Sequence, residues 1–258
     1  MHNDNPIGVF DSGIGGTSIW KEIHRLLPNE NSIYLADTRN APYGQRPKGE
    51  IVALSIKNTE LLLENNCKII VVACNTATTN AIKELRQRYD VPFIGIEPAI
   101  KPAALDSKTN TIGVLATKGT LSSELFSKAV ETFSNTTIIE QVGLNLVALI
   151  ESGQMHSPEM TRLLHEYLDP MVDAGIDHLV LGCSHYPYLI PQIRKIVPTS
   201  VRIIDSGEAV ARQTQSLLRD KVGLSQTKNP KLEFYTNANP EVLSTILENR
   251  YTVQTRDF

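Results

Sequence analysis

Along this chain, short apolar runs alternate with longer stretches in which apolar residues recur about every three to four positions. Runs at 7–10, 32–36, 69–73, 93–96, 111–116, 137–141, 178–181 and 201–204 have strand length. Stretches at 17–27, 50–65, 78–89, 122–134, 158–174 and 188–197 have the period of amphipathic helices. The segment after Asn229 adds a strand over 231–235 and a helix over 240–248. Strand and helix in steady alternation predict an α/β fold with parallel sheets. In that class, chemistry belongs to the loops that leave the carboxyl ends of strands.

The pattern repeats. Strands end at Asp11-Ser12-Gly13 and again at Thr117-Lys118-Gly119, at Cys74-Asn75-Thr76 and again at Cys183-Ser184-His185, and at Glu97 and again at Asp205. Near-equal offsets predict two similar, pseudo-symmetric parallel-sheet units packed face to face, with the site between them. The expected division is residues 1–97 with 208–258 in one domain and residues 98–207 in the other, the closing strand and helix rejoining the first.

Composition narrows the partners. The chain has 258 residues, 41% of them hydrophobic, which suffices for one large core or two smaller ones. Its net charge of −3 and lack of a Lys/Arg cluster argue against nucleic acid. No apolar run approaches the ~20 residues of a membrane span, and the polar start lacks a secretory pattern, so the expected location is the cytoplasm. Three cysteines, at 67, 74 and 183, fit neither a zinc pattern nor a disulfide framework. In a reducing compartment, a cysteine in a polar loop is either incidental or chemical.

Three loops are candidates. Asp11-Ser12-Gly13-Ile14-Gly15-Gly16 is a glycine-rich turn between strand and helix that could cradle a pyrophosphate, with Asp37 on a ribose. The G-x-G-G spacing departs from G-x-G-x-x-G, and Asp11 would repel phosphate, so a cationic group such as an ammonium suits it better. The alternative for Asp11 is a helix cap. Cys74-Asn75-Thr76 follows the most apolar strand, where a helix N-terminus would lower the thiol pKa and the turn could hold a carboxylate. Cys183-Ser184-His185 pairs a thiol with an imidazole two residues on, in a loop closed by Pro187, which suits acyl transfer or proton transfer. Cys67 lies before its strand, at the opposite end of the sheet, and reads as a small buried hydrophobe. Two cysteines at matching positions would flank one substrate, so that one thiolate could remove an α-proton while the other thiol delivers one from the opposite side. The carbanion between them would need fixed hydrogen-bond donors and low dielectric.

The blocks Asp11-Ser12-Gly13-x-Gly15-Gly16, Pro42-Tyr43-Gly44, Ala73-Cys74-Asn75-Thr76-Ala77, Gly182-Cys183-Ser184-His185-Tyr186-Pro187 and Ile204-Asp205-Ser206-Gly207 resemble, in order, those of the glutamate racemases of the aspartate/glutamate racemase superfamily. The resemblance implies two pseudo-symmetric α/β units, usually a homodimer, and interconversion of L- and D-glutamate without cofactor or metal, supplying D-glutamate for peptidoglycan. It implies Cys74 and Cys183 as acid/base thiols, assisted by Asp11 and His185. As substrate contacts it implies Asp11, Ser12, Tyr43, Gly44, Asn75, Thr76, Ser184 and His185. Glu151 resembles a family carboxylate near the second thiol, the alternative being a solvated helix end. Ser184 stands where the family usually has threonine, which keeps the hydroxyl. The long N-terminal extension of members regulated by a cell-wall precursor is not matched here.

Three other readings compete. An aspartate racemase of the same superfamily tends to carry an acidic residue where this chain has His185. A hydrolase built on Cys183 and His185 leaves Cys74 unexplained. A dinucleotide-binding regulatory module would rest on the Gly13–Gly16 turn.

Overall fold

The computed structural model describes residues 2–258. The strands are β1 Ile7–Asp11, β2 Ser32–Ala36, β3 Ile69–Val72, β4 Phe93–Gly95, β5 Thr111–Ala116, β6 Thr137–Val142, β7 His178–Gly182, β8 Arg202–Ile204, β9 Leu232–Thr236 and β10 Val253–Thr255. The helices are α1 Thr17–Leu26, α2 Lys48–Glu64, α3 Asn75–Arg88, α4 Ile100–Asp106, α5 Lys118–Leu121, α6 Glu124–Glu131, α7 Leu146–Glu151, α8 Pro158–Asp173, α9 Ile190–Ile193, α10 Gly207–Leu217 and α11 Glu241–Ile246.

Two parallel sheets carry the molecule. The first runs β10-β9-β2-β1-β3-β4 and the second β6-β5-β7-β8. Without its two last strands, the first sheet has the order 2-1-3-4, and the second repeats it as 6-5-7-8. The repeat read from loop offsets is therefore also a repeat of topology: β1 corresponds to β5 and β3 to β7. The closing strands pair with the first sheet, β9 alongside β2.

The strands β1, β2, β3 and β7 are buried on every residue because both faces of a parallel sheet are covered. Ile69 and Val71 of β3 join one apolar cluster while Ile70 and Val72 join another. The first of these clusters continues into the second half of the chain through Leu115, Leu179 and Leu181, so the two lobes share apolar packing. Each such side chain contributes about 1.5–3 kcal/mol when fully buried.

Three expected helices differ in detail. The helix expected to start at 78 starts at Asn75, because Cys74 itself is the N-cap, its Sγ accepting from the Ala77 N–H at 3.4 Å. The stretch 122–134 gives the shorter α6, which starts after Ser123, whose hydroxyl caps it. The stretch 188–197 gives only a 3-10 turn at Tyr186–Leu189 and the four-residue α9, since Pro187 and Pro191 remove backbone donors. The helices α4, α5, α7 and α10 and the edge strand β10 were not among the elements named from the sequence pattern.

Candidate active site

Cys74 follows β3 and Cys183 follows β7, the matching strand of the second sheet. Both thiols line one cavity between the lobes, together with Ser12, Asn75, Thr76, Ser184 and His185, and with Tyr43 and Gly44. All are buried. Only about 10 Å³ remains free inside, room for one water molecule, so the lobes stand closed.

On the first lobe, Asp11 ends β1 and is fully buried. Its Oδ2 accepts from the Gly13 and Gly16 N–H groups, both at 3.1 Å. Its Oδ1 accepts from the Ser184 hydroxyl of the other lobe at 3.1 Å. Burial pushes the carboxyl pKa up, against the pull of nearby His185. The glycine-rich turn thus spends its N–H groups on carboxylates, Gly13 and Gly16 on Asp11 and Ile14 on Glu151, not on a phosphate. Its glycines answer to the other lobe: a Cβ at Gly13 would strike the Glu151 carboxylate and one at Gly15 the His185 ring. This overturns the dinucleotide reading, and Asp37, its supposed ribose ligand, is buried in a separate network with Asn40, Tyr43 and Asn237.

The Cys74 thiol lies 3.7 Å from the Ser12 hydroxyl. The helix terminus was expected to lower its pKa. The reverse holds: burial raises it, and the Asp11 carboxylate raises it further, outweighing the Ala77 N–H and the Ser12 hydroxyl. Cys74 is therefore a thiol in the closed state.

Across the cavity, Cys183 Sγ lies 3.7 Å from His185 Nδ1. The other ring nitrogen, Nε2, meets Glu151 Oε1 at 2.5 Å. Burial alone would favour neutral imidazole, yet hydrogen bonds to Cys183 and Glu151 prevail and lift His185 well above the usual histidine range. Both bonds favour the imidazolium form. Glu151 ends α7 and is no solvated helix end: Oε1 also accepts the Ile14 N–H of the first lobe at 2.8 Å.

Asn75 is buried with both amide atoms unpartnered among the described residues, a costly arrangement unless a ligand fills it. The Thr76 hydroxyl instead bonds the hydroxyls of Thr117 at 2.8 Å and Thr120 at 3.3 Å across the lobes. The Tyr43 phenol turns away from the cavity, donating to Asp37 Oδ2 at 2.5 Å and accepting from Asn58 at 3.1 Å. Tyr43 therefore faces the cavity with its remaining atoms, and Gly44 packs tightly against the Thr117 side chain. Sequence reasoning missed Thr117 and Val147, which also line the cavity. Thr117 was reachable, since it stands in the repeat where Asp11 stands in the first half. Val147 lies in α7, which carried no signal.

Fold and site together define a class: pseudo-symmetric α/β proteins with one thiol at the matching strand end of each half, facing a shared cavity. A family model described as Asp/Glu/Hydantoin racemase matches residues 7–214. The chain belongs to that family, and its similarity within it is to glutamate racemases. It is 44% identical over 239 residues to the glutamate racemase of Herpetosiphon aurantiacus, covering 92% of this chain and 94% of the relative. It is similar to the structure of Escherichia coli glutamate racemase in complex with L-glutamate and the activator UDP-MurNAc-ala, with TM-score 0.88, 31% identity and 98% of both chains covered. The Francisella tularensis glutamate racemase in complex with D-glutamate gives TM-score 0.85 and 30% identity, again covering 98% of both chains.

Proposed function

We propose that this chain interconverts L- and D-glutamate by two-thiol proton transfer and supplies D-glutamate for peptidoglycan. The observation that carries the reading is the pair Cys74 and Cys183, from matching strands of the two sheets, lining one closed cavity. One sulfur takes the α-proton from one face of the substrate and the other returns a proton to the opposite face. The roles divide by environment. His185 stands beside Cys183 as its hydrogen-bond partner, while burial and Asp11 keep Cys74 as the thiol. Asp11 and Ser12 serve the Cys74 side, Asp11 receiving the substrate ammonium. Asn75, Thr76, Tyr43, Gly44 and Ser184 hold the carboxylates, and Glu151 keeps His185 charged and aimed. Donors already fixed in a dry cavity stabilise the carbanion without reorganisation. No cofactor or metal is required in this reading.

The domain division at 97–98 and 207–208, a homodimer and a cytoplasmic setting complete the proposal; three free, buried thiols fit a reducing compartment. Among the described residues no helix is long and apolar enough to cross a membrane. Cys183, His185 and Glu151 also form the line of groups a cysteine hydrolase would use. Cys74 on the facing wall favours the racemase.

The test is dialysed protein, treated with chelator and with hydroxylamine, incubated with L-glutamate in D2O. Loss of optical rotation together with α-deuteration is the expected result. Aspartate should be turned over far less well, because a side chain one methylene shorter leaves buried polar groups unpaired. Activity only on adding pyridoxal phosphate or a metal, or equal kcat/KM for the two acids, overturns the reading.

A further inference from the structure

The phenol of Tyr34 has no task in the proton transfer described above, yet it is fully buried beside the site. Tyr34 lies in β2, and among Ile33, Tyr34, Leu35 and Ala36 it alone carries a polar side-chain atom. Its ring sits in the apolar cluster that the lobes share, tilted against Phe234 with centroids 6.2 Å apart. Packing alone would be met by phenylalanine, and a buried hydroxyl costs stability unless it is bonded. Burial and the Asp11 carboxylate hold the phenol pKa well above the usual tyrosine range, so the group keeps its proton and donates it.

The acceptor is the Gly13 carbonyl, at 2.8 Å. That carbonyl and the Ile14 N–H belong to one peptide unit, which is planar and turns only as a whole. The N–H edge of the unit donates to Glu151 Oε1 of the second lobe, also at 2.8 Å. One rigid plate is thus pinned by a phenol on one edge and aimed at a carboxylate on the other. The next carbonyl, of Ile14, is held as well, accepting from the Thr17 N–H at 3.1 Å and from the Thr17 hydroxyl at 2.5 Å. Glu151 depends on this aim. Among the described residues both of its hydrogen bonds fall on Oε1, from the Ile14 N–H and with His185 Nε2, while Oε2 is buried without a partner. The Ile14 N–H is therefore the one hydrogen bond that fixes the carboxylate independently of His185.

We propose that Tyr34 is a positioning residue for the Cys183 side of the site: its phenol orients the Gly13–Ile14 peptide, which holds Glu151 in line with His185. Tyr34 does not line the cavity, and it acts through the peptide alone. Because the Ile14–Glu151 bond crosses between the lobes, the support that His185 receives is complete only when the lobes are closed. The titratable groups facing His185 are Cys183 on its own loop, Glu151 from α7 and Asp11 from β1.

The effect on turnover rests on the racemase reading; the effect on His185 does not. Tyr34→Phe removes one oxygen and keeps the ring. It should lower kcat about three- to tenfold, with KM for glutamate changed less. In the Glu151→Gln background the same substitution should cost little further, because the group it acts through is gone. Nitrogen-15 NMR of the six histidines reads the arrangement without turnover, His185 being assigned by its loss in His185→Gln. In the unsubstituted protein His185 should titrate above the ordinary imidazole range, and Tyr34→Phe should bring that midpoint down by about half a pH unit or more. 4-Aminophenylalanine in place of Tyr34 restores a donor of similar reach and should restore both kcat and midpoint. An unmoved midpoint in folded Tyr34→Phe, a loss confined to KM, equal losses in the Glu151 and Gln backgrounds, or no rescue by the 4-amino side chain overturns the proposal. If Tyr34→Phe does not fold, the 4-amino variant must still fold with the His185 midpoint in place, or the proposal falls. A midpoint that moves as expected in a chain that does not racemise glutamate overturns the racemase reading alone.

Discussion

Cys74 and Cys183 occupy equivalent places in two equivalent sheets, yet their surroundings differ in kind. Cys74 caps the 14-residue α3 and has a buried carboxylate, Asp11, and a hydroxyl, Ser12, for company. Cys183 precedes a 3-10 turn broken by Pro187 and sits beside an imidazole locked to Glu151. Backbone symmetry places the two sulfurs; the side chains around them give each a different set of proton-bearing neighbours. A site that works in both directions needs a proton acceptor on one face and a donor on the other, and the two loops supply different partners for those tasks.

The harshest way to break the comparison is to remove one sulfur. Cys74→Ala and Cys183→Ala should each lower racemisation by at least about 10²–10⁴-fold. Each variant should still eliminate from a glutamate analogue with a β-leaving group, and from one enantiomer only. Chiral chromatography of the unreacted analogue should show the two variants consuming opposite enantiomers. Substantial racemisation by Cys74→Ala would leave the Cys183 hydrolase as the better account.

A subtler change makes the two sides more alike. His185→Gln removes the charge facing Cys183 and should reduce kcat on the order of tenfold or more. Enantiomers have equal free energy, so kcat/KM must fall equally in both directions. The sign of the pH effect on stability follows from the raised His185 pKa. Its contribution is full below the ordinary imidazole pKa of about 6.5 and is lost as pH rises through the elevated folded value. The Tm gap between the unsubstituted protein and His185→Gln should therefore be widest in mild acid and should narrow in alkali. A gap independent of pH would show that His185 is not charged in the fold.

Much of this was legible before the coordinates. Strands buried on both faces, such as Ile69–Val72, announce themselves as unbroken apolar runs, and the repeat placed both thiols at carboxyl ends. What stayed hidden depends on contacts between distant residues. Glu151 could not be told from a solvated helix end because its partners, Ile14 and His185, lie in other parts of the chain. Tyr43 was expected as a substrate contact, and nothing local showed that Asp37 and Asn58 hold its phenol. The helix end at Cys74 suggested a lowered pKa, and burial reversed the sign. Local pattern carries the scaffold; the desolvation of particular groups emerges only from packing.

The smallest expected effect concerns the thiol outside the comparison. Cys67 packs closely beside Gly8 near the start of β3, and burial pushes its pKa up to about 12. Cys67→Ser should leave kcat/KM nearly unchanged, while burying a hydroxyl costs about 1–3 kcal/mol of stability. Thermal unfolding alongside an activity assay separates the two. A large loss of activity in soluble, folded Cys67→Ser would mean that the amino end of β3 communicates with the site.

A cavity with room for one water also leaves little solvent beside the two sulfurs for isotopes to enter by. A hydrogen lifted from the substrate by one sulfur meets little solvent to exchange with before the carbanion collapses. If the carbanion collapses backwards, that same hydrogen returns, and the recovered starting enantiomer leaves unlabelled. If it collapses forwards, the incoming hydrogen is one the opposite sulfur acquired during an earlier opening. In heavy water, the product pool should therefore carry solvent deuterium from the first turnover, while the remaining substrate pool stays light.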